Sequence, residues 1–301
     1  MKKNKKKSIL ILIILVIAYL YNTLTLEEKT PPKKESQERK TEDVINSKEL
    51  LNVYFLDVGQ ADSILLENDH HYMLIDAGNN EDGAKLVTYF KNLGITKFDY
   101  VIGTHAHEDH IGGMDDIIKN FEIDTFYMPD VITTTKTFED VLDALEQEQI
   151  AFETPKVDQT FNFNNTSVTT LSVTDNEKDL NNTSIVLKVK YKNTSFLFTG
   201  DMESKIESQI LTQNIKSDVL KVGHHGSRYS TSKAFLEKVS PTYAVISVGK
   251  NNTYNHPNEE TLERLQAKNI KVYRTDQNGT IIASSNGTII TFSTINTDTN
   301  G

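Results

Sequence analysis

Residues 104–113 read Thr-His-Ala-His-Glu-Asp-His-Ile-Gly-Gly and contain three of the chain's eight histidines. A strand-like run at residues 100–103 precedes this segment, and a helical pattern follows its two glycines. Imidazole and carboxylate groups suit a borderline metal such as zinc, which takes nitrogen and oxygen ligands at about 2 Å. A tight loop between strand and helix can direct such side chains at two neighbouring ions. The candidate ligands are His105, His107, Asp109 and His110.

The N-terminal residues do not resemble part of a globular domain. Five lysines within residues 2–7 precede an apolar run at residues 9–26, whose uninterrupted apolar part is short for a full membrane span. A basic leader before an apolar run is also typical of a secretory signal. However, bulky residues at 19–21 replace the small residues of a cleavage site. We therefore expect residues 1–26 to hold cytoplasmic lysines and an uncleaved signal-anchor helix, with the rest of the chain outside the cell membrane.

The next segment, residues 27–49, is dense in Glu, Lys, Gln, Ser and Pro and has few apolar residues. It cannot bury enough apolar surface to become ordered, so we expect a disordered stalk. Residues 50–293 are long enough to form one domain with a large core. Residues 294–301 are expected to be a flexible tail.

Composition limits the possible chemistry. The chain has no cysteine, so disulfides and thiolate ligands are excluded. This composition also fits a protein on the outside of a Gram-positive bacterium, which has a single membrane. The first 49 residues contain 11 Lys+Arg and 7 Asp+Glu, which leaves 21 basic and 35 acidic residues, a net charge of −14, for the remainder. Nucleic-acid grooves usually form basic patches, so this charge weakens a DNA-binding interpretation.

The apolar pattern predicts more strands than helices. Strands near residues 51–56, 63–67 and 71–75 follow one another, and later strands alternate with helices. One continuous helix is expected at residues 111–121, and a hairpin is expected to turn at residues 192–193. This order predicts an α/β fold in which two mixed sheets pack face to face with helices outside.

Other polar residues follow predicted strands, where loops can converge on one edge of a sheet. Asp76 ends the third strand, and Asp201 follows a strand that ends in Thr-Gly. His224 and His225 stand between two glycines, which allow close backbone approach. A lone carboxylate after a strand is usually a helix cap. Beside the histidine-rich loop, Asp201 is instead a candidate for bridging two cations.

Together these motifs resemble the metallo-β-lactamase superfamily of metallohydrolases. The shared features are His-x-His-x-Asp-His, Asp-Ala-Gly at a strand end, Thr-Gly-Asp and His-His-Gly-Ser. Residues 55–63, 220–227 and 252–257 are similar to the extracellular metallohydrolase domain of the competence protein ComEC, although Ala61 stands where relatives often have glycine. The resemblance covers about residues 50–292. It implies an αβ/βα sandwich, preceded here by one transmembrane helix, with a two-metal site at its edge.

The resemblance also implies roles for the matching residues. Of the pair His224 and His225, His225 is the favoured metal ligand. His224 would then support the ligands from behind or contact the substrate. Asp76 would brace the histidine loop through hydrogen bonds. The implied ligands are His105 and His107 at the first ion, Asp109 and His110 at the second, Asp201 between them, and one of His224 and His225.

The first ion is where this sequence departs from the superfamily pattern. Many members supply a third histidine before Thr-Gly-Asp, but no histidine lies between Ile111 and Gly223. Asn181 lies where that ligand would come, and an amide oxygen or water binds zinc more weakly. We expect two divalent ions, zinc first and manganese as the alternative, with single-metal occupancy left open.

The implied chemistry is hydrolysis by a metal-bound hydroxide, because a divalent ion lowers the pKa of bound water to about 7. Asp109 would orient the hydroxide and accept its proton. His256 would donate to the leaving group or hold a phosphate, or would have only a capping or packing role. His224 is a further candidate for substrate contact.

These features predict a membrane-anchored, extracytoplasmic, metal-dependent hydrolase, with a phosphodiester as substrate. The resemblance suggests DNA, although one predicted helix replaces the ComEC channel region, so this chain is not itself a DNA channel. The acidic domain favours a cell-wall phosphodiester such as teichoic acid as the alternative. Two other hypotheses remain. The protein could hydrolyse a β-lactam or lactone, or it could be a metal-binding scaffold with little turnover. The sequence does not identify a protein partner.

Overall fold

The computed structural model describes residues 50–295, which contain fifteen strands and eight helices. The strands are β1 (Leu51–Phe55), β2 (Ser63–Asn68), β3 (His71–Ala77), β4 (Lys97–Ile102), β5 (Glu122–Tyr127), β6 (Phe152–Glu153), β7 (Thr160–Phe163), β8 (Thr166–Ser172), β9 (Val186–Tyr191), β10 (Thr194–Phe198), β11 (Val219–Lys221), β12 (Tyr243–Ile246), β13 (Lys271–Arg274), β14 (Thr280–Ser285) and β15 (Ile290–Ile295). The helices are α1 (Gly83–Asn92), α2 (Glu108–Ile111), α3 (Met114–Asn120), α4 (Lys136–Gln147), α5 (Ser204–Ile210), α6 (Lys233–Val239), α7 (Glu259–Gln266) and α8 (Thr275–Asn278).

The strands form two mixed sheets. The first sheet has the order β15-β14-β1-β2-β3-β4-β5-β6, antiparallel from β15 to β3 and parallel from β3 to β6. The second has the order β13-β12-β11-β10-β9-β8-β7, parallel from β13 to β10 and antiparallel from β10 to β7. In each sheet, helices connect the parallel strands, as parallel pairing requires. The loops that follow these parallel strands therefore collect at one edge.

Three apolar layers hold the fold together. The central layer lies between the sheets, where Phe55 on β1 contacts Phe198 on β10 with ring centroids 6.2 Å apart. Helices α1, α3 and α4 cover the outer face of the first sheet, and α5, α6 and α7 cover that of the second. Each buried Phe or Leu in these layers contributes about 1.5–3 kcal/mol relative to an exposed one. The arrangement confirms the predicted αβ/βα sandwich.

The predicted continuous helix at residues 111–121 is wrong, because Gly112 and Gly113 separate α2 from α3. Their backbone N–H groups donate to Gly78 O at 2.9 Å and to Ala77 O at 3.2 Å, at the end of β3. A Cβ on Gly112 would lie 2.2 Å from the backbone carbon of Asn79, and one on Gly113 would lie 2.6 Å from Ala77 O. Only glycine allows the histidine loop to approach the sheet this closely.

Other predictions concern the hairpin and the ends of the chain. The hairpin at residues 192–193 is confirmed, since Tyr191 pairs with Thr194. Strand β15 ends at Ile295, two residues past the predicted domain end. The signal-anchor helix and stalk predicted for residues 1–49 lie outside the described residues, as do residues 296–301. Every helix within residues 50–295 falls short of the length and apolar character that a membrane crossing needs.

Candidate metal centre

Four loops meet at the carboxyl ends of parallel strands from both sheets. Strands β3 and β4 of the first sheet lead into two of them, and β10 and β11 of the second sheet lead into the others. The centre therefore lies at the edge between the two sheets. The side chains brought together are Asp76, His105, His107, Asp109, His110, Asp201, His224 and His225.

The buried carboxylate of Asp201 lies at the middle of this cluster. Its Oδ1 is 3.3 Å from His110 Nε2. Its Oδ2 is 3.7 Å from Nε2 of both His224 and His225, and 3.9 Å from Nε2 of His105. One carboxylate thus faces four imidazoles. A carboxylate in this position could be shared by two cations if the imidazoles held them.

The histidine loop supplies donors on both sides of Asp201. On one side, Asp109 Oδ2 lies 3.2 Å from His225 Nε2 and 4.0 Å from His110 Nε2. Asp109, His110, Asp201 and His225 each offer an atom within 4.8 Å of the other three. On the other side, His105 Nε2 and His107 Nδ1 are 3.0 Å apart. The first group is a complete donor set for one divalent ion, and the second is a partial set.

Unsatisfied buried atoms show that these residues fit a bound cation. Within residues 50–295, His110 Nε2, Asp201 Oδ1 and Asn181 Oδ1 are buried without a hydrogen-bond partner. Buried polar atoms normally have partners, so a group of such atoms within one site needs an explanation. Nitrogen and oxygen donors without thiolate suit zinc or manganese. A divalent ion would satisfy the imidazole and carboxylate atoms together.

Asp76 ties the histidine loop to β3. Its carboxylate accepts hydrogen bonds from Thr104 N, Thr104 Oγ1 and His110 Nδ1, each at 2.8 Å. The bond from His110 Nδ1 leaves Nε2 of the same ring directed at Asp201. Asp76 itself has a φ of 60°, a left-handed conformation that costs about 1–3 kcal/mol for a residue other than glycine. The surrounding hydrogen bonds hold it there.

The turn Gly223–Gly226 presents its two histidines differently. Both have left-handed backbones, with φ of 51° at His224 and 52° at His225. His225 is buried and donates from Nδ1 to Ser247 O at 2.9 Å, so its Nε2 faces the site. The side chain of His224 is 21% exposed, and its Nδ1 lies 3.6 Å from Glu203 Oε1. The geometry therefore makes His225 an interior donor and puts His224 at the edge of the cleft.

Asn181 belongs to a short segment that joins two of the site loops. In the 3₁₀ turn Leu180–Thr183, its backbone carbonyl accepts from Ser184 Oγ at 2.7 Å. That same hydroxyl accepts from Asp201 N at 3.1 Å, and Ile185 N donates to Thr104 O. The segment thus fixes Asp201 against the histidine loop, with the Asn181 side chain lining the cleft.

A buried ion pair behind the ligands was not anticipated from the sequence. Lys221 Nζ lies 2.7 Å from Asp62 Oδ2, and the two side chains are 0% and 1% exposed. The other oxygen of Asp62 is 3.5 Å from His225 Nδ1, and Asp62 N donates to Asp109 O at 3.0 Å. Asp62 therefore contacts both sides of the centre. A lysine within the apolar strand β11 was the available signal, because unpaired lysines are almost never fully buried.

The electrostatics of the cluster depend on burial and on its carboxylates. Burial, with His110 nearby, holds the pKa of His105 well below its ordinary value. Burial also disfavours the charged form of His110, but Asp201 and Asp76 outweigh it and raise the pKa of His110 well above its ordinary value. Burial would raise the pKa of Asp201, yet His110 and His225 lower it well below its ordinary value. Metal binding at His110 must therefore displace a proton.

The donors other than His105 and His110 line a cleft of about 440 Å³, and Tyr254 and His256 line it as well. The ring of His256 lies 5.4 Å from that of His224 and stacks on Tyr254 at 5.7 Å between centroids. Burial, with His224 and His225 nearby, lowers the pKa of His256 to about 4. The imidazole is therefore neutral at pH 7. This state suits a hydrogen-bonding role better than that of a charged acid.

The sequence model of the metallo-beta-lactamase superfamily matches residues 56–250, the part of the chain that contains the cluster. The chain belongs to the metallo-β-lactamase superfamily. Two curated superfamily relatives are the ComE operon protein 3 of Bacillus subtilis, 35% identical over 80% of this chain, and the competence protein ComA of Neisseria gonorrhoeae, 32% identical over 75%. The matches cover 34% and 31% of those relatives, so this chain spans about a third of their length. The predicted superfamily and its likeness to competence proteins are confirmed.

Solved structures agree on the metallo-β-lactamase fold. The metallo-beta-lactamase fold protein YhfI of Bacillus subtilis matches 74% of this chain and 95% of its own with a TM-score of 0.51 at 12% identity. CmlA, a diiron beta-hydroxylase from Streptomyces venezuelae, matches 74% of this chain and 52% of its own with a TM-score of 0.50 at 13% identity. At such identities the likeness concerns the fold alone. The protein is a metallo-β-lactamase superfamily member related to competence proteins, with a candidate two-metal site.

Proposed function

We propose that this protein is a metal-dependent phosphodiesterase. The observation that carries the proposal is the Asp201 carboxylate within 3.9 Å of four imidazole nitrogens, with Asp109 alongside. When bound, two divalent ions (zinc, or manganese as the alternative) would acidify a water molecule and neutralise the charge that develops on a phosphate. His105, His107 and the amide of Asn181 would hold the first ion. The second would be held by Asp109, His110 and His225, with Asp201 between the two ions.

The remaining polar residues of the cleft are placed to act on the water, the phosphate and the leaving group. The Asp109 side chain is 31% exposed, so its carboxylate can accept a proton from water in the cleft. His224 lies at the edge of the cleft, where it can contact a phosphate oxygen or complete the set of ligands around the first ion. Neutral His256 can donate a hydrogen bond to the leaving oxygen. Hydrogen-bond donors aimed at developing charge typically contribute about 10²–10³-fold to rate.

DNA is the proposed substrate, and a cell-wall phosphodiester of the teichoic-acid type is the alternative. Support for DNA comes from the names of the relatives, two of which are a competence protein and a ComE operon protein. Support for the alternative comes from the net charge of −14 outside the first 49 residues, since nucleic-acid grooves are usually basic. A metal-binding scaffold without turnover is the remaining hypothesis, motivated by the missing third histidine.

The test is hydrolysis by the full-length protein reconstituted with zinc or manganese. We expect turnover of bis-p-nitrophenyl phosphate and single-stranded DNA, little turnover of the β-lactam nitrocefin, and loss of turnover with a chelator. Asp109→Ala should lower the rate by about 10²–10⁴-fold, the usual contribution of a general base. If no substrate is turned over with either metal and Asp109→Ala behaves as wild type, the enzyme proposal fails. Adding a purified teichoic acid as a further substrate distinguishes the two candidates, because its rate of hydrolysis can be compared with that of DNA.

We also propose that residues 1–26 anchor the protein in the cell membrane, with the catalytic domain on the extracytoplasmic side. The support is the five lysines before an apolar run without a small-residue cleavage site. In fractionated cells the protein should sediment with membranes, resist carbonate extraction and be accessible to protease added outside. A soluble mature form whose N-terminus follows Tyr21 would contradict the anchor and leave the enzyme proposal untouched.

A further inference from the structure

A second pocket lies beside the metal cleft. Its volume is about 650 Å³, within the roughly 300–1,000 Å³ typical of small-molecule sites. Leu56, Val58, Leu86 and Tyr89 give it an apolar wall, and Tyr89 supplies an aromatic ring that is only half-buried. The pocket is therefore suited to a planar group with an apolar face.

The pocket adjoins the metal cleft, and Gln60 and Asn79 line both. Gln60 Oε1 accepts a hydrogen bond from Gly249 N at 3.1 Å, and Asn79 Nδ2 donates to Asp82 Oδ2 at 3.3 Å. These bonds fix two amide side chains at the junction. A molecule with its phosphate at the donors could extend past the amides into the pocket.

Charge decides which part of a phosphodiester fits there. Asp57, Glu81 and Asp82 line the pocket, and its lysine, Lys85, lies 3.2 Å from Asp82 Oδ1. A second phosphate would meet net negative charge, whereas an uncharged heterocycle would not. The glycerol or ribitol units of a wall polymer have no planar face to stack on Tyr89.

We propose that this pocket binds the nucleoside attached to the scissile phosphate, with its base stacked on Tyr89. The inference rests on the proposed phosphodiesterase function and names its substrate class as a nucleotide. In the reaction, water adds to phosphorus and the P–O bond to the leaving group breaks. The nucleoside on the other ester oxygen stays in the pocket as a nucleoside monophosphate.

The experiment compares two esters that share a leaving group. The p-nitrophenyl ester of thymidine 5′-monophosphate carries a nucleoside, and methyl p-nitrophenyl phosphate does not; both release p-nitrophenolate. In the full-length, metal-loaded protein, Tyr89→Ala should raise KM for the nucleotide ester about tenfold, the order expected for one lost base–aromatic stack. Turnover of the methyl ester should stay within about twofold, and Tyr89→Phe should behave as wild type because it keeps the ring.

Tyr72→Ala is the matched control, since Tyr72 packs against the same apolar layer as Tyr89 but does not line the pocket. Equal losses on both esters, or a tenfold effect from Tyr72→Ala, would overturn the proposal while the phosphodiesterase function stands. A wild type that hydrolyses neither ester would count against the proposed function and not against the pocket. In that case the proposal for the pocket is tested by calorimetric measurement of thymidine binding, and the affinity should fall about tenfold in Tyr89→Ala.

Discussion

Lys221→Met is expected to lower the free energy of unfolding by about 3–5 kcal/mol, as the loss of one partner from a buried ion pair typically does. The methionine occupies a similar volume, so packing in β11 changes little. The carboxylate of Asp62, 1% exposed, would then lose its lysine and remain beside the Asp76 carboxylate, with imidazoles as neighbouring positive groups. Urea denaturation of the metal-free protein at pH 7 measures the change.

Removing both partners tests the cause of this loss. In Lys221→Met combined with Asp62→Asn, no uncompensated charge remains, so much of the lost stability should return. The exposed lysine Lys238, changed to Met, is the control and should shift stability by less than about 0.5 kcal/mol. Equal destabilisation of the single and double variants would show that shape, and not charge, keeps Lys221 in β11.

Asp201→Ala is expected to weaken metal binding at least about 100-fold, since even residues that only support ligands contribute about 10–100-fold. The variant removes the carboxylate that faces His105, His110 and His225. We expect metal analysis of the dialysed protein to show fewer bound ions than in wild type, and phosphodiester turnover to fall in parallel. Asp175→Ala, at an exposed position outside the cluster, should match the wild type in both measurements.

The pH dependence of metal binding provides a second readout of the same cluster. Asp201 and Asp76 raise the pKa of His110 against the effect of burial, so the metal-free protein holds a proton that the ion must displace. Metal affinity should therefore fall as pH decreases. In Asp201→Ala the largest charge that favours this proton is gone, so the pH dependence should be shallower. Metal content of Asp201→Ala equal to that of wild type at every pH would contradict a central role for this carboxylate.

The sequence was sufficient to predict the layers of the fold and most members of the site. The His-x-His-x-Asp-His segment is local, so its side chains had to converge once the loop between β4 and α2 was recognised. Asp201 and His225 were identified through motifs at strand ends, where parallel strands bring loops together. The resemblance to a known superfamily supplied the pairing between these distant segments.

Other features depend on contacts between residues far apart in the chain, and local patterns do not reveal those. Lys221 lies in a strand of the second sheet and Asp62 in the loop before β2 of the first. The lysine within an apolar strand signals an unusual position but not the distant carboxylate that pairs with it. The break at Gly112 follows from its approach to Asn79, so the helical pattern of the segment was misleading. The different orientations of His224 and His225 depend on two consecutive left-handed residues, a conformation that propensity disfavours.

The placement of the donors on both sheets has a mechanical consequence. The Asp109 loop follows a strand of the first sheet, and Asp201 and His225 follow strands of the second; Asp109 and His225 are 116 positions apart in the chain. An ion held by these residues would be a crosslink that closes a long chain loop, much as a disulfide does in many secreted proteins. In a chain without cysteine, the supply of metal would then govern how long the folded domain endures as well as how fast it works.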